Sequence, residues 1–260
     1  MKTKIHNTSA SELVKQFQKN NLINMTKTIL ALLISYSLLS CAELQQVANQ
    51  FPELNQTGQL DIAGGLKEAL NNGISKQVSK LTAMDGFYKN EAVKILMPEE
   101  LQKVDKALRK IGLSSLADDG IKMLNRAAED AVKESTPIFV DAVKQMSFTD
   151  AKNILMGNES SATTYLQTTT TTPLYAKFNP VIKNSFAKVG ADKVWNNIIS
   201  KYNSIPLVKK VNPDLTDYTT NKALEGVYKM IAVEEKNIRT NLNSRTSTLL
   251  QKVFALQDKK

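Results

Sequence analysis

The chain has 260 residues, with 34 Lys and Arg against 25 Asp and Glu and a formal net charge of +9. Gly (10) and Pro (7) are too scarce for a collagen-like or wholly disordered chain. One Cys and one His exclude an internal disulfide framework and multi-Cys or multi-His metal centres, and argue against a Ser-His-Asp or Cys-His device.

Residues 28–42, TILALLISYSLLSCA, carry no charge. A bilayer span needs ~20 apolar residues, so this stretch fits the core of a secretory signal peptide instead. Lys27 supplies the positive flank, and Met25 is placed to be the initiator. Residues 1–24 are then an upstream extension or a long N-terminal region. Residues 1–40 read as the signal peptide, residues 41–60 as a lipidated flexible tether and residues 61–260 as one helical domain. The tether is polar and interrupted by Pro52 and Gly58.

The box Leu38-Leu39-Ser40-Cys41 resembles the lipobox of bacterial lipoproteins. The resemblance implies a thioether-linked lipid on Cys41, cleavage after Ser40 and acylation of the new amino group. Two or three acyl chains, at ~0.8 kcal/mol per buried CH₂, make a stable anchor. The expected location is the cell envelope, lipid-anchored at the outer membrane and facing the periplasm. Residues 1–40 hold five lysines and one glutamate, so the chain from Cys41 on is only mildly basic and has no His.

From Asp61 on, the apolar spacing is helical and the fold class is all-α, a single multi-helix domain. Leu66, Ala69, Leu70, Ile74, Val78 and Leu81 share one helix face after Gly64-Gly65. Asp85-Gly86 marks a turn, and Phe87–Leu96 reads as an ordered loop packed on the core. Pro98 fits the first position of a helix running to about Ile111. Residues 114–146 form the longest helical pattern, with Pro137 breaking it near Ser135. Thr149 is placed to cap a short helix, 150–156, closed by Gly157. Residues 160–178 hold five successive Thr (168–172) and read either as a packed helix or as an exposed linker. Further helices are expected over 178–189, 192–202, 216–239 and 242–256, with Pro180, Gly190, Pro206 and Pro213 as breaks.

A set of local motifs now stands together. It comprises Asn125-Arg126-Ala127-Ala128-Glu129, Pro137-Ile138-Phe139, Asp150-Ala151 with Ile154-Leu155-Met156-Gly157, Ala162-Thr163-Thr164-Tyr165-Leu166, Ala223-Leu224-Glu225-Gly226-Val227 and Glu234-Glu235 to Ile238-Arg239. Over residues 62–256 this set resembles the bacterial domain of unknown function 4197. The resemblance implies a secreted or lipid-anchored helical envelope protein and no particular reaction. At Thr219 the family pattern leads one to expect an apolar residue.

Six polar residues are candidates for one cluster: Asn125, Arg126 and Glu129 on the central helix, Asp150 on the next, and Glu235 and Arg239 on the long C-terminal helix. Asn125 and Glu129, like Glu235 and Arg239, are four apart and share a face. If buried, they must be paired and hydrogen-bonded. They then form either a network of ion pairs and helix caps or a recognition or acid/base site built on Glu129, Asp150 or Glu235. Asp118, Asp119, Glu129 and Asp130 match no metal-ligand spacing. Trp195, Tyr202, Phe186 and Phe178 read as core. No cofactor is implied.

The leading expectation is a non-enzymatic binding or scaffolding module, joined to a membrane by Cys41 and serving an envelope protein or an apolar ligand. Nucleic acid is not expected as a partner, because bases and acids are interspersed and no reading motif is present. A carrier of an apolar ligand would need a continuous cavity of ~300–1,000 Å³. An enzyme would need its carboxylates to converge on an open cleft.

Overall fold

A computed structural model describes residues 56–258, apart from 111, 113, 191, 192, 194, 197, 198, 201, 202, 205, 208, 209, 211 and 213. The segment read as a signal peptide, Cys41, the segment read as a tether up to residue 55, and Tyr202 lie outside the described residues. Those described are helical, with eight α-helices and no strand. The helices are α1 (Gln56–Thr82), α2 (Gln102–Lys110), α3 (Ser114–Val132), α4 (Ser135–Gln145), α5 (Phe148–Leu155), α6 (Ser161–Lys188), α7 (Thr216–Thr240) and α8 (Thr248–Asp258). Helix α1 thus begins inside the segment read as tether.

Helices α3, α6 and α7 pack on one another and form the centre; α4 and α5 lie against α6, and α2 lies against α3. On α6 the residues Ala162, Leu166, Thr170, Leu174, Phe178, Ile182 and Phe186 are buried at a strict four-residue interval. At 3.6 residues per turn such a line winds round the helix by about 40° per step. Helix α6 therefore has no single apolar side and takes neighbours from several directions.

The Thr tract is helical and not a linker. Thr168, Thr169, Thr170 and Thr171 each donate a hydroxyl to the carbonyl four residues back. This hydrogen bond offsets part of the poor helix propensity of Thr. Thr170, on the buried line, also meets the Tyr228 hydroxyl at 2.8 Å. Tyr228 in turn meets Phe139 edge-on, with centroids 6.2 Å apart. Pro180 does not end the helix as the sequence suggested; α6 runs through both Pro173 and Pro180. Phe178 and Ile182, buried on either side of Pro180, hold the two halves in the core despite the lost N–H.

Other boundaries shift for local reasons. Pro98 precedes a short 3₁₀ turn, Glu99–Leu101, which leads into α2, so it is a cap and not a first helical residue. Ser147, not Thr149, caps α5: its hydroxyl accepts from the Asp150 N–H at 3.1 Å, and Asp150 accepts from the Ser147 N–H at 3.0 Å. That reciprocal pair is a capping box. The expected last helix is divided by Arg245 into a 3₁₀ turn, Leu242–Ser244, and α8. The break between α3 and α4 falls before Ser135, as Pro137 requires. Phe178, Phe186 and Trp195 are buried. Thr219 is fully buried with no hydrogen-bond partner for its hydroxyl, in keeping with an expected apolar residue there.

Two glycines allow close approach. A Cβ on Gly120 would stand 2.4 Å from the Trp195 ring and 2.9 Å from Met97 Cε. A Cβ on Gly226 would stand 2.6 Å from Phe87. Trp195 is the one tryptophan of the chain, so its fluorescence reports on its site alone. Gly120→Ala is expected to cost about 1–3 kcal/mol through overpacking and to red-shift the emission. An unchanged spectrum and urea midpoint would refute that packing.

Candidate functional site

The six candidate residues do not form one cluster. They fall into two sets joined by no hydrogen bond, and Asp150 belongs to neither.

The first set lies on α3. The Glu129 carboxylate accepts from the N–H groups of Phe87 at 3.1 Å and Tyr88 at 3.4 Å, and from the Arg126 guanidinium at 2.6 Å. Arg126 also donates to Asp85 at 2.6 Å, and Lys89 pairs with Asp85 at 2.9 Å. One turn earlier, Asn125 accepts from the Ile95 N–H and donates to the Ile95 carbonyl, both at 2.8 Å. Asn125 also donates to the Ile121 carbonyl on its own helix. Asn125 and Glu129 thus hold the two ends of the irregular segment 87–95 by its main chain. Residues without a regular ladder need such partners when they are buried. Phe87 is driven over Gly226, and Val93, Ile95 and Met97 fill the core beneath.

The second set lies on α7, where the ends of two helices meet. Glu235 accepts from the Ala162 N–H at 2.9 Å and the Thr163 N–H at 2.8 Å, and from the Thr163 hydroxyl at 2.8 Å. These are first-turn donors of α6. The local N-cap, Ser160, makes no capping bond; its hydroxyl goes to Asn158 instead. Arg239 donates to the Ile154 carbonyl at 2.7 Å and the Leu155 carbonyl at 3.2 Å, at the C-terminus of α5. Two further bonds run to Glu235, at 3.1 and 2.8 Å, and one to Gln257 on α8, at 3.1 Å. All five guanidinium N–H groups are used. The acid faces the positive end of α6 and the base the negative end of α5. Both side chains are sealed, at 5% and 3% exposure.

Two neighbours extend this network without having been marked in the sequence. Glu234 ties α7 to α1 through Lys76 and Gln77, both at 2.6 Å. Arg245 donates to the Ile238 and Arg239 carbonyls at the end of α7 and forks onto Asp258 of α8. In the sequence Glu234 stands out only as the neighbour of Glu235 in a local motif. Nothing local marks Arg245, because its partners are distant carbonyls.

Among the described residues, no group of three or more His, Cys, Asp and Glu is arranged to hold a metal ion. Asp118 pairs with Arg109, and Asp130 with Lys133. The apolar hollow among α1, α6, α7 and α8 has a volume of only about 30 Å³. That is room for roughly two or three waters, far below the ~300 Å³ that an apolar ligand needs. A larger hollow, about 450 Å³, lies open between residues 92–99 and α7 and has a mixed lining, with Ala92, Val93, Leu96 and Pro98 beside charged residues such as Glu99 and Lys229. No described helix is long and apolar enough to cross a membrane.

A family model, "Protein of unknown function (DUF4197)", matches residues 56–255. The chain belongs to this family. The match covers α1 to α7 and nearly all of α8, so both polar sets lie inside the family domain. Comparison with curated proteins and with solved structures brought up no similar chain.

Breaking the Glu235–Arg239 pair from either side should cost about 3–5 kcal/mol, as for other buried pairs. Replacing both by Leu should not restore stability, since the amides of α6 and the carbonyls of α5 would remain buried and unpaired. Urea unfolding of the two single variants and the double one checks this; a double variant as stable as the parent would contradict it.

Acid should weaken the fold through other carboxylates. The Lys89 hydrogen bond, and beyond it Arg126, hold Asp85 below the usual carboxylate range against the opposing effect of burial. Ser147 does the same for Asp150, and Arg245 for Asp258. Folded values below the unfolded value mean that this stabilisation is complete above the unfolded pKa and is lost as pH falls through the folded ones. Urea midpoints should stay level from neutral pH to about 5 and fall below about 4. In Asp258→Asn the fall should be smaller.

Proposed function

We propose that the protein is a lipid-anchored component of the cell envelope whose helical domain is a non-catalytic binding or scaffolding body. One observation carries the non-catalytic part. Glu129 and Glu235, the carboxylates best placed for acid/base work, are buried and engaged by backbone amides and guanidinium groups. Asp150, the remaining candidate, is engaged in the box at the start of α5. The oxygens of Glu129 and Glu235 are already taken by these donors, which speaks against their use as a general acid or base. Such saturation instead suits a rigid body that presents a surface. The anchor rests on the sequence Leu38-Leu39-Ser40-Cys41 beside an uncharged segment of signal-peptide length. Lipid on Cys41 supplies the membrane attachment in this reading; no described helix is long and apolar enough to cross a bilayer.

Metabolic labelling with radioactive palmitate tests the anchor. The parent chain is expected to take up label and to fractionate with membranes. Cys41→Ser is expected to lose both, while its helical signal in circular dichroism stays the same. A Cys41→Ser protein that still takes up palmitate would overturn the anchoring.

A further inference from the structure

The open groove beside α7 has the makings of a strand-binding site. One wall is the segment Lys94–Glu99; the other is the α7 stripe Tyr218, Lys222, Glu225, Gly226 and Lys229. From Val93 to Met97 burial alternates residue by residue, with Val93, Ile95 and Met97 inside and Leu96 55% exposed. That period is the mark of an extended chain. In an extended chain the N–H and C=O of alternate residues point to opposite edges. Asn125 takes both backbone groups of Ile95, so that edge is occupied. The other edge faces α7, because the Tyr218 hydroxyl donates to the Leu96 carbonyl at 2.9 Å. On this edge the Leu96 N–H and the Lys94 carbonyl enter no hydrogen bond among the described residues. Together they can serve one residue of a strand laid alongside.

The groove also carries charge. Lys222 is held by Glu225 at 2.6 Å, and Glu99 adds a second acid to the lining. Lys94 lies over the Tyr88 ring, 4.8 Å from its centroid, and 3.9 Å from Glu91. Lys229 is exposed and makes no ion pair among the described residues, since Glu225, one turn before it, is paired with Lys222; with Lys94 and Lys222 it gives the lining three cations against the two acids Glu99 and Glu225.

We infer that this groove binds an extended, acidic segment of a partner polypeptide, which pairs with the free backbone groups of Lys94 and Leu96 and sets a carboxylate against Lys229. The inference rests on the binding role proposed above and is independent of the anchor on Cys41.

The test pans a library of random displayed peptides against the full chain in detergent micelles. The selected peptides are then measured on the parent, Lys229→Glu and Leu96→Pro. Leu96→Pro removes an N–H that the fold does not use, and Lys229→Glu changes only a surface group; circular dichroism verifies that both are folded. Acidic peptides are expected, binding about tenfold more weakly to each variant, with affinity falling as salt rises. Peptides that bind all three proteins alike would overturn the groove and leave the binding role standing. Selection of basic peptides would overturn the acidic assignment. A library that yields no binder would count against the binding role as well, whatever the palmitate result.

Discussion

Two helix ends meet inside this protein, and their backbone groups cannot reach water there. The first-turn amides of α6 and the last carbonyls of α5 would each carry a desolvation cost if left unpaired. Glu235 and Arg239 satisfy both ends from a third helix and neutralise each other while doing so. The turn between α5 and α6 is thereby fixed to α7, and Gln257 brings α8 to the same place. With Glu234 holding α1 and Arg245 gathering the end of α7, one stretch of helix organises most of its neighbours. The charges are therefore part of the backbone hydrogen bonding of the fold, and an apolar pair of the same size could not replace them.

Helix α6 solves a different problem. Its buried line winds, so successive turns face different partners, and the helix serves as an axle for α3, α4, α5 and α7. The Thr tract fits this role. Thr170 lies on the buried line and, with Thr171, meets the Tyr228 hydroxyl, while Thr168 and Thr169 point outward and satisfy their hydroxyls on the helix.

Much of this was legible in the sequence. Period and break residues gave the all-α class, the position of α7 and the division between α3 and α4. The polar residues that hold the structure were visible too, since acids, bases and amides on apolar faces need partners. Their partners were not visible, because those are backbone groups far along the chain and carry no mark of residue type. For the same reason the six residues looked like one cluster when they are two, and Asp150 looked like a member when it is a local cap. The Thr tract and Pro180 misled for the opposite reason. Their local propensities oppose a helix, and burial of Leu174, Phe178 and Ile182 overrides them.

Asn125 and Glu129 grip the main chain of residues 87–95 and none of its side chains. A grip of that kind is indifferent to what the outward residues are. Glu91, which points outward, can be exchanged without loosening the segment, whereas Asn125 and Glu129 cannot. The domain thus holds a fixed frame around a stretch of rewritable surface, and that surface borders the groove.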